Sequence, residues 1–231
     1  MSVQCNEAEL AEPRSTSRQG HPTATVARAA GPAALVLGPA LTVAGFALHP
    51  LAADPAATFI ARINSHPARW ALAHLLIGVG LGAFAAGIGS VLRLAHGRGA
   101  RFLVAGVLTA GTGAVGMGYE AIGHGAVGYA LAGRADVPLL VSTHVQTAFE
   151  HLGFSAGPAL VGVLFPLGLL LLGIGALRSR ATPRWGAVLL LLAPFGIQVA
   201  GAGPWELLGA APLVIGLATL ARAARSAAEA P

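Results

Sequence analysis

Lysine is absent from this chain, and all fourteen basic residues are arginine, a trace of a GC-rich genome and not of function. Charge of either sign is scarce, at 10% of residues against 55% apolar, where a soluble domain carries roughly a quarter charged. That scarcity excludes a well-solvated globule of this length and places the chain among membrane proteins. The net charge of +5 comes from arginines dispersed among loops, with no basic stripe, which excludes a nucleic-acid partner. Cysteine occurs once, at Cys5, which excludes an intrachain disulfide and a thiolate metal site. Also missing are a His-Glu-x-x-His, a Cys-x-x-Cys, a haem-attachment sequence and a Gly-x-Ser-x-Gly elbow. Ser142 and Thr143 adjoin His144, but adjacent positions on a helix do not face each other, so no nucleophile stands out. Residues 1–28 are polar, lack an apolar run and are expected as a disordered cytoplasmic tail.

Uninterrupted apolar sequence, by contrast, is abundant. A membrane helix needs about 20 largely apolar residues. The chain predicts six such spans: Ala29–Ala53, Trp70–Leu92, Phe102–Tyr119 continuing towards His124, Leu152–Leu177, Trp185–Trp205 and Leu207–Ala221. Gly201-Ala202-Gly203-Pro204 reads as the tight turn between the last two. The fold class is therefore all-α: a polytopic membrane bundle of six transmembrane helices over residues 29–224, with a cytoplasmic tail at 225–231. A short amphipathic helix is expected on the outer side at 137–152, where Val141, Val145, Ala148, Phe149 and Leu152 form one apolar stripe. It either lies at the interface or extends the fourth span. A second helix-like run covers Pro55–Ile63, with Asp54 as its cap.

Arginine placement sets the orientation. Arg14, Arg18, Arg28, Arg93, Arg98, Arg101, Arg178, Arg180, Arg184, Arg222 and Arg225 fall on the side of the termini, and Arg62, Arg69 and Arg134 on the other. Positive residues near span ends favour the cytoplasm. Both termini are thus expected inside a bacterial-type plasma membrane, with the lipid bilayer as the first partner. Trp70 and Trp185 sit at span ends, as an aromatic belt requires. The abundant glycine, 32 residues, suits close helix packing, and Gly78-x-x-x-Gly82 predicts a packing face. Gly111-x-Gly113-x-x-Gly116 and Gly123-x-Gly125-x-x-Gly128 match a dinucleotide-binding pattern. Both fall in helical sequence with no preceding strand, so glycine abundance accounts for them.

His49, His74, Glu120, His124, His144, Glu150, His151 and Glu206 all fall at the ends opposite the arginines. Glu120 and His124 are one helical turn apart, and His144 and His151 share a face. Imidazole nitrogen and carboxylate oxygen suit zinc, copper, iron or haem iron. Ionisable groups in spans are costly in lipid, which makes them a functional hypothesis by default. The candidate metal or ligand residues are therefore Glu120, His124, His74, His49, His144, Glu150 and His151, with Glu120 as ligand, charge partner or base. The competing explanation is packing, capping and interfacial solvation: Glu206 suits a helix N-terminus, and His21, His66 and His96 need no role.

The function expected is a multi-pass membrane protein binding a metal ion, haem or small ligand at the outer His/Glu cluster. An accessory or structural subunit holding a membrane-protein partner is the alternative. A metal-dependent membrane hydrolase or oxidoreductase is a further one. The inner halves of the spans are nearly pure Leu, Val, Ala and Gly, with Gln198 an exception, so no continuous polar path for transport is visible.

Overall fold

The computed structural model describes residues 22–49, 56–133, 156–200 and 204–229, with the side chains of 29–49, 61–130, 132–133, 162–196 and 208–229. Among these residues the chain is helical throughout, with no strand. The helices are α1 (Pro22–Leu48), α2 (Ala56–Ser65), α3 (Pro67–Ile88), α4 (Ala100–Leu131), α5 (Ala156–Ser179), α6 (Arg184–Ala200) and α7 (Pro204–Glu229). Short 3-10 turns at Gly89–Leu94 and Gly97–Gly99 join α3 to α4.

Five helices, α1, α3, α4, α5 and α7, carry stretches long and apolar enough to cross a membrane. The sequence predicts six, and α6 is the one that falls short. Its 17 residues reach about 26 Å at 1.5 Å per residue, at the lower limit for crossing a hydrocarbon core of about 30 Å.

Boundaries also differ from expectation. Helix α1 opens at Pro22, inside the stretch expected as tail, because proline suits a first turn and the residues after it are mostly helix-compatible. Helix α4 runs on to Leu131, since nothing between Glu120 and Leu131 breaks it. Helix α7 continues past Ala221 to Glu229 through an alanine- and arginine-rich stretch of high helix propensity. The outer amphipathic helix expected at 137–152 lies outside the described residues, as does the turn at Gly201–Gly203. The run expected at Pro55–Ile63 corresponds to α2.

The long helices form a closed ring, each against its neighbours in the order α1, α3, α4, α5, α6, α7 and back to α1. Glycines at heptad spacing make the seams. On α1, Gly31, Gly38 and Gly45 face Gly87, Gly80 and Ala73 of α3, in antiparallel register. A Cβ added at Gly38 would stand 2.6 Å from the Gly80 carbonyl oxygen, so no larger residue fits without parting the backbones. Gly99 at the N-cap of α4, with Gly106 and Gly113 of that helix, meets α5 at Gly175, Leu172 and Phe165, while Gly111, Gly118 and Gly125 turn to α3. A repeat of 3.5 residues per turn keeps such a stripe on the seam between shallowly crossed helices, and small residues supply the dispersion contact that lipid cannot.

The predicted packing face at Gly78 and Gly82 therefore divides. Gly78 lies against Gly118 and Ile122 of α4, whereas Gly82 is exposed, with nothing within 4 Å of its would-be Cβ. A four-residue step rotates by about 40° on a helix. That rotation carries Gly82 off the α4 contact and out of the ring. Between the seams, Leu35, Phe84, Leu103, Leu169, Leu172, Leu190 and Leu217 fill the interior. Leu37, Leu108, Val115, Val163, Leu192 and Phe195 stand exposed on the outside. An apolar exterior of this kind is compatible with lipid as the surrounding solvent.

Candidate functional site

Three helix ends converge on one cluster of rings. His49 follows the last residue of α1, Trp70 and His74 stand one turn apart near the start of α3, and His124 belongs to α4. The ring centroids of Trp70 and His74 are 4.0 Å apart, those of His49 and Trp70 4.9 Å, and those of His49 and His74 4.9 Å. His124 meets His74 edge-on at 6.5 Å and 83°. Trp70 and His74 are buried, at 7% and 5% exposure, whereas His49 is half-buried and His124 exposed. The cluster thus has a sealed floor and an open side.

The glycine seams create this approach. A Cβ at Gly125 would fall 2.5 Å from the His74 Cβ, and Gly128 lies directly against the Trp70 indole. Side chains then bond to backbone across the helices. Trp70 Nε1–H donates to the His124 carbonyl at 3.2 Å, and Arg69 Nε–H donates to the Leu48 carbonyl at 2.9 Å, satisfying one of the carbonyls left open at the end of α1. The Gly133 N–H donates to Asn64 Oδ1 at 3.3 Å, tying the end of α4 to α2.

His74 has a defined tautomer. Its Nδ1 lies 3.0 Å from the Trp70 carbonyl, which can only accept, so Nδ1 carries the proton. In the neutral ring Nε2 is then the bare lone pair. Metal-ligating histidines are commonly held in this way by a carbonyl on the other nitrogen.

Glu120 is half-buried and continues the Gly99–Gly106–Gly113 heptad of α4, so it lies on the stripe facing α5, one turn from His124. It stands about 30 Å along the axis from Ala100 at 1.5 Å per residue, roughly the thickness of the hydrocarbon core.

Of the candidates from sequence, the structure brings together His49, His74 and His124, with Glu120 one helical turn before His124 on α4. His144, Glu150 and His151 lie outside the described residues, and so does the side chain of Glu206. Among the described residues no three His, Cys, Asp or Glu side chains are grouped closely enough to hold a metal ion. Trp70 was expected as an interfacial belt residue, yet it is the buried centre of the cluster. Its spacing signals only part of this: Trp70 and His74 are four apart and share a face, which does not by itself make Trp70 central. Trp185, by contrast, is exposed at the start of α6. Both dinucleotide-pattern matches lie within α4, where Gly111, Gly113, Gly125 and Gly128 face neighbouring helices and Gly123 meets nothing.

Beneath the cluster, inside the ring, lies an apolar cavity of ≈ 100 Å³. Thr42, Phe46, Phe84, Met117 and Phe165 line it, and the Thr42 hydroxyl already donates to the Gly38 carbonyl at 3.1 Å. Compared with known proteins, the chain matches no family model, no curated protein and no solved structure.

Proposed function

We propose that the chain is a multi-pass integral membrane protein of six crossings, with both termini cytoplasmic, whose outer-end imidazole cluster binds a small ligand or a transition-metal ion. The single observation behind this reading is the fixed tautomer of His74 beside His49 and His124. A buried ring whose Nδ1 is already committed can offer only Nε2, and the open side of the cluster is where a ligand would meet it. His49 and His74, at 4.9 Å between centroids, can direct nitrogens to one ion or one hydrogen-bonding group. Two imidazoles are short of the four ligands zinc prefers, so exogenous groups or Glu120 would have to complete a metal site. No catalytic group is assigned.

The test is elemental analysis and visible absorption of detergent-purified protein, followed by Zn²⁺ and Cu²⁺ titration of the parent chain and of His74→Ala. Stoichiometric metal, or saturable binding that weakens by roughly 10–100-fold in the variant, supports the reading. A Soret band would assign haem. Absence of every one of these would leave the accessory-subunit alternative in front.

A further inference from the structure

At the opposite end of the bundle two arginines share one aromatic ring. The guanidinium carbon of Arg101 lies 4.9 Å from the centroid of Phe102, and that of Arg178 lies 5.4 Å from the same centroid. Arg101 is in the first turn of α4 and Arg178 in the last turn of α5, so the pair bridges two helices. The α4–α5 seam fixes it there, because Gly99 sits against Gly175 and Ser179. The two guanidinium carbons can be no further apart than the sum of those distances, and both side chains are exposed.

Like charges within that limit repel, and an anion placed between them offsets the repulsion. Among the described residues, the two loops that carry these arginines supply none. The loops from Arg93 to Arg101 and from Arg178 to Arg184 contain no carboxylate, and the acidic side chains described are Glu120, near the other end, and Glu229, in the last turn of α7. Two further features add positive potential. The N-terminus of α4 has no side-chain cap, which leaves the positive end of its dipole beside Arg101, itself a cation where a carboxylate would be preferred. Arg98 precedes it on the 3-10 turn, and Arg180 follows Arg178 with a left-handed φ of 54°.

We propose that Arg101 and Arg178, both set over Phe102, form a binding site for the phosphate group of an acidic phospholipid. Guanidinium is planar, stacks on aromatic faces and matches phosphate oxygens two at a time. The ring thus presets both forks, so less side-chain freedom is lost on binding. Lipid is the source favoured by position, since the site lies at the ends of two apolar helices, where headgroups would surround it. In the orientation proposed above it faces the cytoplasmic leaflet, which is the anionic one.

Native mass spectrometry of the detergent-purified full chain, titrated separately with phosphatidylglycerol and phosphatidylcholine, tests this. Selective retention of phosphatidylglycerol is expected. Arg101→Gln with Arg178→Gln should reduce that retention about thirtyfold, on the scale of one arginine contact each. Arg101→Lys with Arg178→Lys keeps the charge but loses the stacked fork, and should show an intermediate loss. The control removes the same charge elsewhere at that end: Arg222→Gln with Arg225→Gln should retain phosphatidylglycerol like the parent. Melting temperatures of all variants in the same detergent separate lost binding from lost folding.

Equal retention of the two lipids by the parent chain overturns the proposal. So does equal loss in the control pair, which would mean diffuse charge and not a site. Displacement of phosphatidylglycerol by millimolar inorganic phosphate would identify free phosphate as the occupant and overturn the lipid assignment.

Discussion

His74 and Trp70 illustrate how one residue depends on another's backbone. The indole N–H holds the His124 carbonyl, the Trp70 carbonyl fixes the His74 tautomer, and both rings are buried. Trp70→Phe keeps an aromatic face but deletes the donor, and a loss of about 1 kcal/mol in unfolding free energy is expected. Thermal unfolding in detergent measures it, and an unchanged melting temperature would show that the bond contributes nothing. That His49, His74 and His124 fall at helix ends away from Arg93, Arg98 and Arg101 was legible from sequence, because it is a matter of where such residues lie along apolar runs. The centrality of Trp70 was not. It arises from α1, α3 and α4 meeting at glycines, an approach that the local sequence around Trp70 does not encode.

Glycines at seven-residue spacing on α1 and α4 each face a neighbouring helix, and their register decides which one. Gly80 belongs to the heptad stripe facing α1, so Gly80→Ala should push Cβ onto Thr42 and the Gly38 carbonyl and cost roughly 1–3 kcal/mol. Gly82→Ala meets nothing and should be neutral or slightly stabilising, since alanine is the better helix former. Parallel melts of the two variants decide the matter; similar losses at both positions would sink the seam assignment. The four-residue glycine motif was the visible sequence signal, yet it misplaced one member of the pair. The governing period was seven, because antiparallel helices at a shallow crossing repeat their contacts at that interval. Helix existence was readable from apolar length, whereas helix ends were not. The alanine-rich stretch after Ala221 and the uninterrupted stretch after Glu120 simply let α7 and α4 continue.

For the molecule as a whole, orientation is the property most open to direct test. With six crossings and cytoplasmic termini, single cysteines replacing Ser65 and Ala135 should react with an impermeant thiol reagent in intact cells. Cysteines replacing Arg98 and Ser179 should react only after lysis. Labelling of the Arg98 or Ser179 position from outside would reverse the assignment. The helix ring also bears on biogenesis. Neighbours around the ring are neighbours along the chain, except where α7 closes against α1. The α1–α3, α3–α4 and α4–α5 seams can form as each helix leaves the ribosome, with little search among distant partners. A nascent chain halted after α5 would already hold its imidazole–indole cluster and its paired arginines. What the last hairpin adds is closure, covering the flank of α1 that had faced lipid until then.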